Sequence, residues 1–184
     1  MKRLFFLFLS VLLFLCSCSP SYPHANETAL QVKNNRALLE QCVEEMEKFG
    51  KERIYVAMEK EEEGERIRLV SYPKESGERT EIENPVLERA LLDLDLSLIF
   101  YQTASDSRRC VIFSYTKENQ TEGVQNGFYY SFDSLPCAWW GRRGELKRQG
   151  ERYLQLNRNG GAAYYTTPIE QNFYYFEKYG TLIA

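Results

Sequence analysis

Residues 162–179 read AAYYTTPIEQNFYYFEKY, two runs of aromatic and β-branched residues separated by a polar turn. Such runs are typical of β-strands and predict strands at 162–167 and 172–179. Each run contains an adjacent tyrosine pair, and a predicted strand at 127–133 contains a third: Tyr129-Tyr130, Tyr164-Tyr165 and Tyr174-Tyr175. Because neighbouring residues of a strand point to opposite faces of the sheet, every pair places one tyrosine on each face.

One face of this sheet forms the core, and the sequence leaves three explanations open for the tyrosines on the other face. Helices or long loops cover it, with the hydroxyl groups reaching water at the rim. Alternatively, it is a flat aromatic surface that stacks on a glycan or a peptide, or it is a contact surface for a partner protein. Under the second and third explanations, Tyr165 and Tyr175 are candidate ligand-binding residues.

The rest of the chain adds further strands and two helices. An alternation of apolar residues predicts a β-hairpin, and turn-forming residues separate three more strands, so that the additional strands lie at 53–60, 66–72, 97–103, 109–116 and 151–158. We therefore predict an α+β fold. A long N-terminal helix and a short middle helix would pack on an antiparallel meander of about six to eight strands.

Both helices have recognisable ends. The N-terminal helix is predicted at 28–49 because apolar residues recur there at three- and four-residue spacing. Thr28 and Gln31 fit a capping box at its start, and Gly50 fits a C-terminal cap. The middle helix is predicted to start at Asn84-Pro85, with the asparagine as N-cap and the proline in the first turn.

Length and composition exclude several classes of protein. A chain of 184 residues with 43% hydrophobic and 27% charged side chains is typical of one globular domain. The net charge of −3 and the lack of a nucleic-acid-binding motif argue against a DNA or RNA partner. The only histidine, His24, precedes the predicted domain, so a zinc site and His-dependent catalysis lack their usual residue. We expect neither a metal nor a cofactor.

Three cysteines belong to the predicted domain: Cys42, Cys110 and Cys137. Their odd number permits at most one intramolecular disulfide, and a bridge between Cys110 and Cys137 stays open on the sequence alone. Their wide spacing contains no CxxC pair, which argues further against zinc.

The N-terminus has the pattern of an export signal. Lys2 and Arg3 precede the apolar run LFFLFLSVLLFL at 4–15, whose helical length of about 18 Å is too short to cross a hydrocarbon core of about 30 Å. The run is therefore typical of a signal peptide. It leads into Leu15-Cys16-Ser17-Cys18, which resembles the lipobox of bacterial lipoproteins. This resemblance implies cleavage before Cys18 and attachment of lipid, such as palmitate, to that residue.

The same resemblance implies the organisation and the location of the protein. Residues 1–17 would be the signal peptide, 18–27 the lipidated cysteine with a tether, and 28–184 a single domain. The protein would be held in a bacterial cell membrane by its N-terminal lipid and face the extracytoplasmic side, or lie in the outer membrane if the cell is Gram-negative.

A second candidate binding segment begins with two tryptophans. The segment WWGRRGELKR at 139–148 is basic, although the whole chain is acidic. Aromatic and guanidinium groups together suit an anionic glycan, a phosphate-bearing polymer or a lipid headgroup. Alternatively, one tryptophan anchors the loop in the core and the arginines lie in water. The candidate ligand-binding residues here are Trp139, Trp140, Arg142 and Arg143.

These features favour a non-catalytic module that binds an envelope component, either a glycan or a protein partner. The sequence contains no GxSxG or HExxH motif. The alternative function is a small secreted hydrolase with paired carboxylates, for which Asp93 or Asp95 with Glu170 are candidates.

The lipobox resemblance makes a prediction about the mature N-terminus. Mass spectrometry of the N-terminal peptide from membrane-extracted protein should find Cys18 as the first residue, diacylated or triacylated. An unmodified Cys18, or cleavage at another residue, would contradict the prediction.

Overall fold

Antiparallel strands dominate the structure, a computed structural model that describes residues 24–49, 54–60, 67–73, 78–103, 107–115, 124–138, 146–156 and 163–179. Within these ranges there are three helices and ten strands. In chain order they are α1 (Ala25–Asn34), α2 (Arg36–Lys48), β1 (Ile54–Lys60), β2 (Ile67–Pro73), β3 (Thr80–Glu81), α3 (Pro85–Asp93), β4 (Leu98–Thr103), β5 (Arg109–Ser114), β6 (Val124–Ser131), β7 (Lys147–Gln149), β8 (Arg152–Leu156), β9 (Ala163–Glu170) and β10 (Phe173–Tyr179).

The described strands form one antiparallel sheet in the order β3-β2-β1-β4-β5-β6-β10-β9-β8-β7. The α+β class and the antiparallel sheet are therefore confirmed. The predicted number of six to eight strands is wrong, because the sequence pattern missed the two edge strands β3 and β7. Both are very short, and all their side chains are exposed, so neither has an apolar alternation. The sheet is also not a simple meander, since β6 pairs with β10 rather than with β7.

The predicted long N-terminal helix is instead two helices. α1 begins at Ala25, three residues before the predicted start, and Glu27 Oε2 accepts the backbone N–H of His24 at 3.0 Å. Thr28 is therefore inside the helix, where it is fully buried. Between α1 and α2, Asn35 Nδ2 donates to the carbonyl of Gln31 at 2.9 Å. This side-chain hydrogen bond competes with the regular helical hydrogen bonds of the backbone at the break. The predicted cap, Gly50, lies outside the described residues.

The predicted start of the middle helix is confirmed. Asn84 Oδ1 accepts the backbone N–H of Leu87 at 3.1 Å, and Pro85 is the first residue of α3. The Asn84 side chain also donates from Nδ2 to Glu45 Oε2 at 3.0 Å, which connects the start of α3 to α2. One residue thus caps a helix and fixes its position against another.

The three helices cover one face of the sheet, which we call the helix face. Gln31 helps to fix α1 there: its Nε2 donates to the carbonyl of Leu94 at 3.1 Å, and its Oε1 accepts a bond from the Tyr115 hydroxyl. The largest fully buried side chains between helices and sheet include Leu39, Met46, Leu87, Ile99, Phe113, Phe128 and Phe173. Burial of aliphatic and aromatic side chains on this scale is the main force that holds the helices on the sheet.

The opposite face of the sheet is also buried, so its tyrosines are covered by other residues and form no exposed aromatic surface. One tyrosine of each pair lies there, together with Phe100, Ile112 and Phe176. Residues 134–138 run along this face and satisfy the hydroxyl groups: Tyr164 donates to the carbonyl of Cys137 at 3.2 Å, and Tyr174 donates to the carbonyl of Ser134 at 2.7 Å.

The third buried tyrosine, Tyr129, is the centre of a chain of hydrogen bonds. Its hydroxyl accepts the backbone N–H of Cys137 at 3.0 Å and lies 2.8 Å from Thr166 Oγ1. Since Thr166 Oγ1 donates its only hydrogen to the carbonyl of Tyr175 at 2.9 Å, Tyr129 must donate to Thr166. The chain joins residues 134–138, β6, β9 and β10 through one fully satisfied hydroxyl.

None of the three cysteines of the domain forms a disulfide, so the bridge left open between Cys110 and Cys137 is absent from the structure. All three side chains are buried. Burial raises the pKa of the Cys42 thiol to about 12, so at neutral pH it is a small, protonated core side chain.

Removal of the Tyr129 hydroxyl should destabilise the domain more than removal of the Tyr130 hydroxyl. In Tyr129→Phe, the buried N–H of Cys137 loses its acceptor, and we expect unfolding in urea to become easier by about 1–3 kcal/mol. Tyr130→Phe is the matched control, because the Tyr130 hydroxyl accepts from Asn172 Nδ2 at 3.1 Å in a half-buried setting. We expect a cost below about 1 kcal/mol for the control. Equal costs would contradict this role of Tyr129.

Candidate functional site

The candidate site lies on the helix face, on β9 and β10. Strand pairing places Tyr165 directly opposite Glu177, and residues at alternating positions of β10 point to the same face as Glu177. Tyr175 and Tyr179 therefore join them. We call Tyr165, Tyr175, Glu177 and Tyr179 the tyrosine–glutamate patch. The sequence predicted Tyr165 and Tyr175 as ligand-binding residues, and the structure brings these two into one patch.

The Glu177 carboxylate is the centre of the patch. Tyr175 donates its hydroxyl hydrogen to Oε1 at 2.6 Å, and Tyr179 donates to Oε2. Burial and the negative charge of Glu177 raise the pKa of Tyr175. The hydrogen bond to Glu177 and burial raise the pKa of Tyr179 to about 12. Both phenols are therefore protonated at neutral pH and hold the carboxylate in one position.

The two outer rings give the patch its exposed surface. Tyr165 and Tyr179 meet edge to face, with ring centroids 5.7 Å apart and planes at 85°. Tyr179 is 41% exposed and Tyr165 is half-buried, whereas Tyr175 is only 4% exposed. The Tyr175 ring is therefore closed to a ligand in this structure, and its hydroxyl serves instead to position Glu177.

Residues of β8 extend the surface away from the patch. Leu154 pairs with Tyr165 across the strands, so Arg152 and Leu156 point to the same face by alternation. Leu156 is 61% exposed, and the positive charge of Arg152 is close enough to Tyr179 to lower its pKa slightly against the larger upward effects. The surface thus combines exposed apolar side chains with one carboxylate and one guanidinium.

The hydrogen-bonding capacity of the patch is mostly that of an acceptor. Both phenol hydrogens are committed to Glu177, which leaves the phenol oxygens and the remaining lone pairs of the carboxylate available. Arg152 is the donor at the edge. Such a surface suits a ligand that brings several hydroxyl or amine donors together with an apolar ring face.

The sequence missed Glu177, Tyr179 and Leu156 as parts of the site. The signal for the first two was present, because Tyr175, Glu177 and Tyr179 alternate along one predicted strand and must share a face. Leu156 had no such signal, since its place beside the patch depends on how β8 pairs with β9.

Other predicted site residues lie outside the described residues. These are the lipidation site Cys18 and the second binding segment, Trp139, Trp140, Arg142 and Arg143. The described residues on either side of that segment are Ala138, which is buried, and Leu146, which packs against the core of the face opposite the helices.

The carboxylates proposed for the alternative hydrolase face arginines. Asp93 accepts from Arg89 Nε at 3.0 Å, and Glu170 accepts from Arg36 Nη1 at 3.2 Å. Asp95 is exposed and has a positive φ of 50°. A glycosidase instead needs two carboxyl groups that face each other across a cleft, so these contacts lend the hydrolase no support.

Two features are missing from the described part of the chain. No group of three or more His, Cys, Asp or Glu residues there has the geometry to hold a metal ion. None of the described helices has the length and apolar character that a membrane crossing requires.

Comparisons with known proteins add no relative: no family model, no curated protein and no solved structure matches this chain. What the site does must therefore be inferred from its own geometry.

The patch predicts a specific pH dependence. Because folding raises the pKa of Tyr179 to about 12 from an unfolded value near 10, its contribution to stability is complete below pH 10 and is lost as the pH rises toward 12. Glu177→Gln removes the negative charge, and ultraviolet titration of the tyrosines should then show ionisation at lower pH. Glu170→Gln, whose carboxylate bonds Arg36, is the control. Identical titration curves for both variants would contradict the arrangement.

Proposed function

We propose that the protein is a lipid-anchored, non-catalytic binding module of the bacterial envelope and that the tyrosine–glutamate patch is its ligand surface. The observation that carries the proposal is the pair of outer rings, Tyr165 and Tyr179, around a carboxylate fixed by two phenol hydroxyls. Exposed aromatic rings beside a fixed hydrogen-bonding group are a common arrangement for ligand recognition.

A hydroxyl-rich envelope glycan is the ligand class that this surface fits best. Its hydroxyl groups can donate to Glu177, and the C–H face of a sugar ring can pack on Tyr179 and Leu156. Each aromatic contact contributes only about 0.5–1.5 kcal/mol, so a single sugar would bind weakly, in the millimolar range. Many anchored copies facing a repeating polymer would raise the overall affinity through multivalency.

The proposed anchor is compatible with an envelope polymer as ligand. α1 begins at Ala25, so residues 19–24 allow at most about 20 Å between a lipidated Cys18 and the folded domain. Since α1 packs on β9 and β10, which carry the patch, the ligand surface would stay within a few tens of ångströms of the bilayer. Polymers attached to or lying close to the membrane are within that reach.

Tyr179→Ala tests the proposal most directly. Binding of purified cell-wall polysaccharide to the full-length protein should weaken about two- to tenfold, in line with the loss of one aromatic contact. Leu92→Ala is the matched control, because Leu92 is also a large apolar side chain at the surface. It is 57% exposed and lies on α3, outside the patch. Trp139→Ala/Trp140→Ala and Arg142→Ala/Arg143→Ala belong in the same assay, since these residues stay predicted ligand contacts.

The assay also separates the competing functions. If wild type and Tyr179→Ala bind the polysaccharide equally while both are folded, the patch is not a glycan surface. Capture of a defined protein that depends on Tyr179 would point to the protein-partner alternative. Release of reducing ends from the polysaccharide by the wild type would favour the hydrolase.

A further inference from the structure

A second concave surface lies on another part of the sheet, where β5 begins and β6 ends. An open cavity of about 530 Å³ is lined by Ser107, Arg108, Arg109, Phe132, Asp133 and Leu135. Its volume is in the range of small-molecule sites. The lining carries two guanidinium groups and one carboxylate, which gives a local excess of positive charge in a chain whose net charge is −3.

Among the described residues, the only carboxylate that lines the cavity, that of Asp133, already has hydrogen-bond partners on both oxygens. Asp133 Oδ1 accepts the Ser131 hydroxyl at 2.9 Å and the backbone N–H of Leu135 at 3.2 Å, while Oδ2 accepts from Arg108. These bonds and the charge of Arg108 outweigh partial burial and lower the pKa of Asp133. Asp133 is thus a fixed, ionised partner of Arg108 and does not neutralise Arg109.

Arg109 is held in place while its donors stay accessible. Its guanidinium carbon lies 5.0 Å from the centroid of the Phe132 ring, and that ring is itself fixed by edge contacts with Tyr101 and Tyr130. Stacking uses the flat face of a guanidinium, whereas its N–H groups lie in the plane and remain available. The side chain is 56% exposed.

The polar contacts that Arg109 makes among the described residues are long. Its Nη1 lies 3.4 Å from the Tyr101 hydroxyl and 3.9 Å from Glu47 Oε1 on α2. Exposed ion pairs at such distances are weak, so an incoming anion with good geometry can compete with Glu47. A carboxylate or a phosphate is the group that a guanidinium recognises best, because two parallel N–H donors match two oxygens.

We propose that this cavity binds a small organic anion, whose carboxylate or phosphate pairs with Arg109 and whose apolar part lies against Leu135 and the half-buried Phe132 at the cavity wall. Leu135 is 49% exposed at the cavity wall, so it offers apolar surface that water now covers. Two serines of the adjoining backbone, Ser107 and Ser134, have positive φ angles of 66° and 59°. Such backbone conformations persist only where surrounding contacts enforce them, and they are frequent at binding sites.

The test uses benzoate and phenyl phosphate as probes, because both carry an oxyanion on the same apolar ring. Equilibrium dialysis with the full-length protein in a nonionic detergent should show saturable binding of at least one of them. Benzamide, the neutral analogue of benzoate, should bind at least about tenfold more weakly, since it lacks the charge that pairs with Arg109. The stronger of the two anions identifies the ligand as a carboxylate or a phosphate.

Two variants should move the affinity in opposite directions. Arg109→Gln should weaken binding about tenfold or more, whereas Glu47→Gln should strengthen it about twofold because it removes the competing carboxylate. Arg89→Gln is the matched control, since Arg89 is an exposed arginine paired with Asp93 on α3. Only a folded protein can bind the anion more tightly. The gain expected for Glu47→Gln therefore tests the proposal even if Arg109→Gln fails to fold.

Three results would overturn the proposal. The first is no saturable binding of either anion to the wild type. The second is equal affinity in Arg109→Gln and Arg89→Gln, and the third is equal affinity for benzamide and for the anion that binds more strongly. Neither loss nor retention of glycan binding at the tyrosine–glutamate patch bears on these measurements, because no residue is shared between the two sites.

Discussion

The structure depends on one constraint: the sheet must bury both of its faces, although only one of them carries helices. The opposite face is filled with tyrosines, whose hydroxyl groups are costly to bury without partners. Residues 134–138 supply those partners, and the bond from the Cys137 N–H to Tyr129 makes the same hydroxyl both acceptor and donor. Because Tyr129 continues through Thr166 to the backbone of β10, the covering segment and the central strands are fixed together. The helix face, where both candidate sites lie, rests on this arrangement.

Local sequence patterns predicted the local parts of the fold well. The β1–β2 hairpin follows from its apolar alternation, and α3 follows from Asn84-Pro85, because both signals act within a few residues. The pairing of β6 with β10 has no local signal, since it joins segments that are far apart in the chain and is selected by packing on both faces. The break at Asn35 was also missed, because the apolar stripe continues across it and only a side-chain bond to Gln31 interrupts the helix.

The candidate site was predictable to the same extent and for the same reason. Alternation within each strand separated Tyr165 and Tyr175 from Tyr164 and Tyr174, and along β10 it would have added Glu177 and Tyr179 to the side of Tyr175. It could not tell that Tyr175 is buried and Tyr179 exposed, because that difference depends on how far α1 extends over β9 and β10. The Arg109 cavity had no sequence signal at all. It arises where the start of β5, the end of β6 and α2 meet, and these three positions are far apart in the chain.

The register of the central strands sets the distance between the two sites. Cys110 pairs with Ser131, next to the Arg109 cavity, whereas Glu177 and Tyr179 pair with Asn126 and Val124 near the other end of β6. At about 3.3 Å per residue, this separates the two surfaces by roughly 20 Å along the strand direction. One small ligand cannot span that distance, so an acceptor-rich surface and a basic cavity must be occupied independently. A long polymer that carries both hydroxyl and acidic groups could reach both, and only such a ligand would couple the two sites by linking its own binding events.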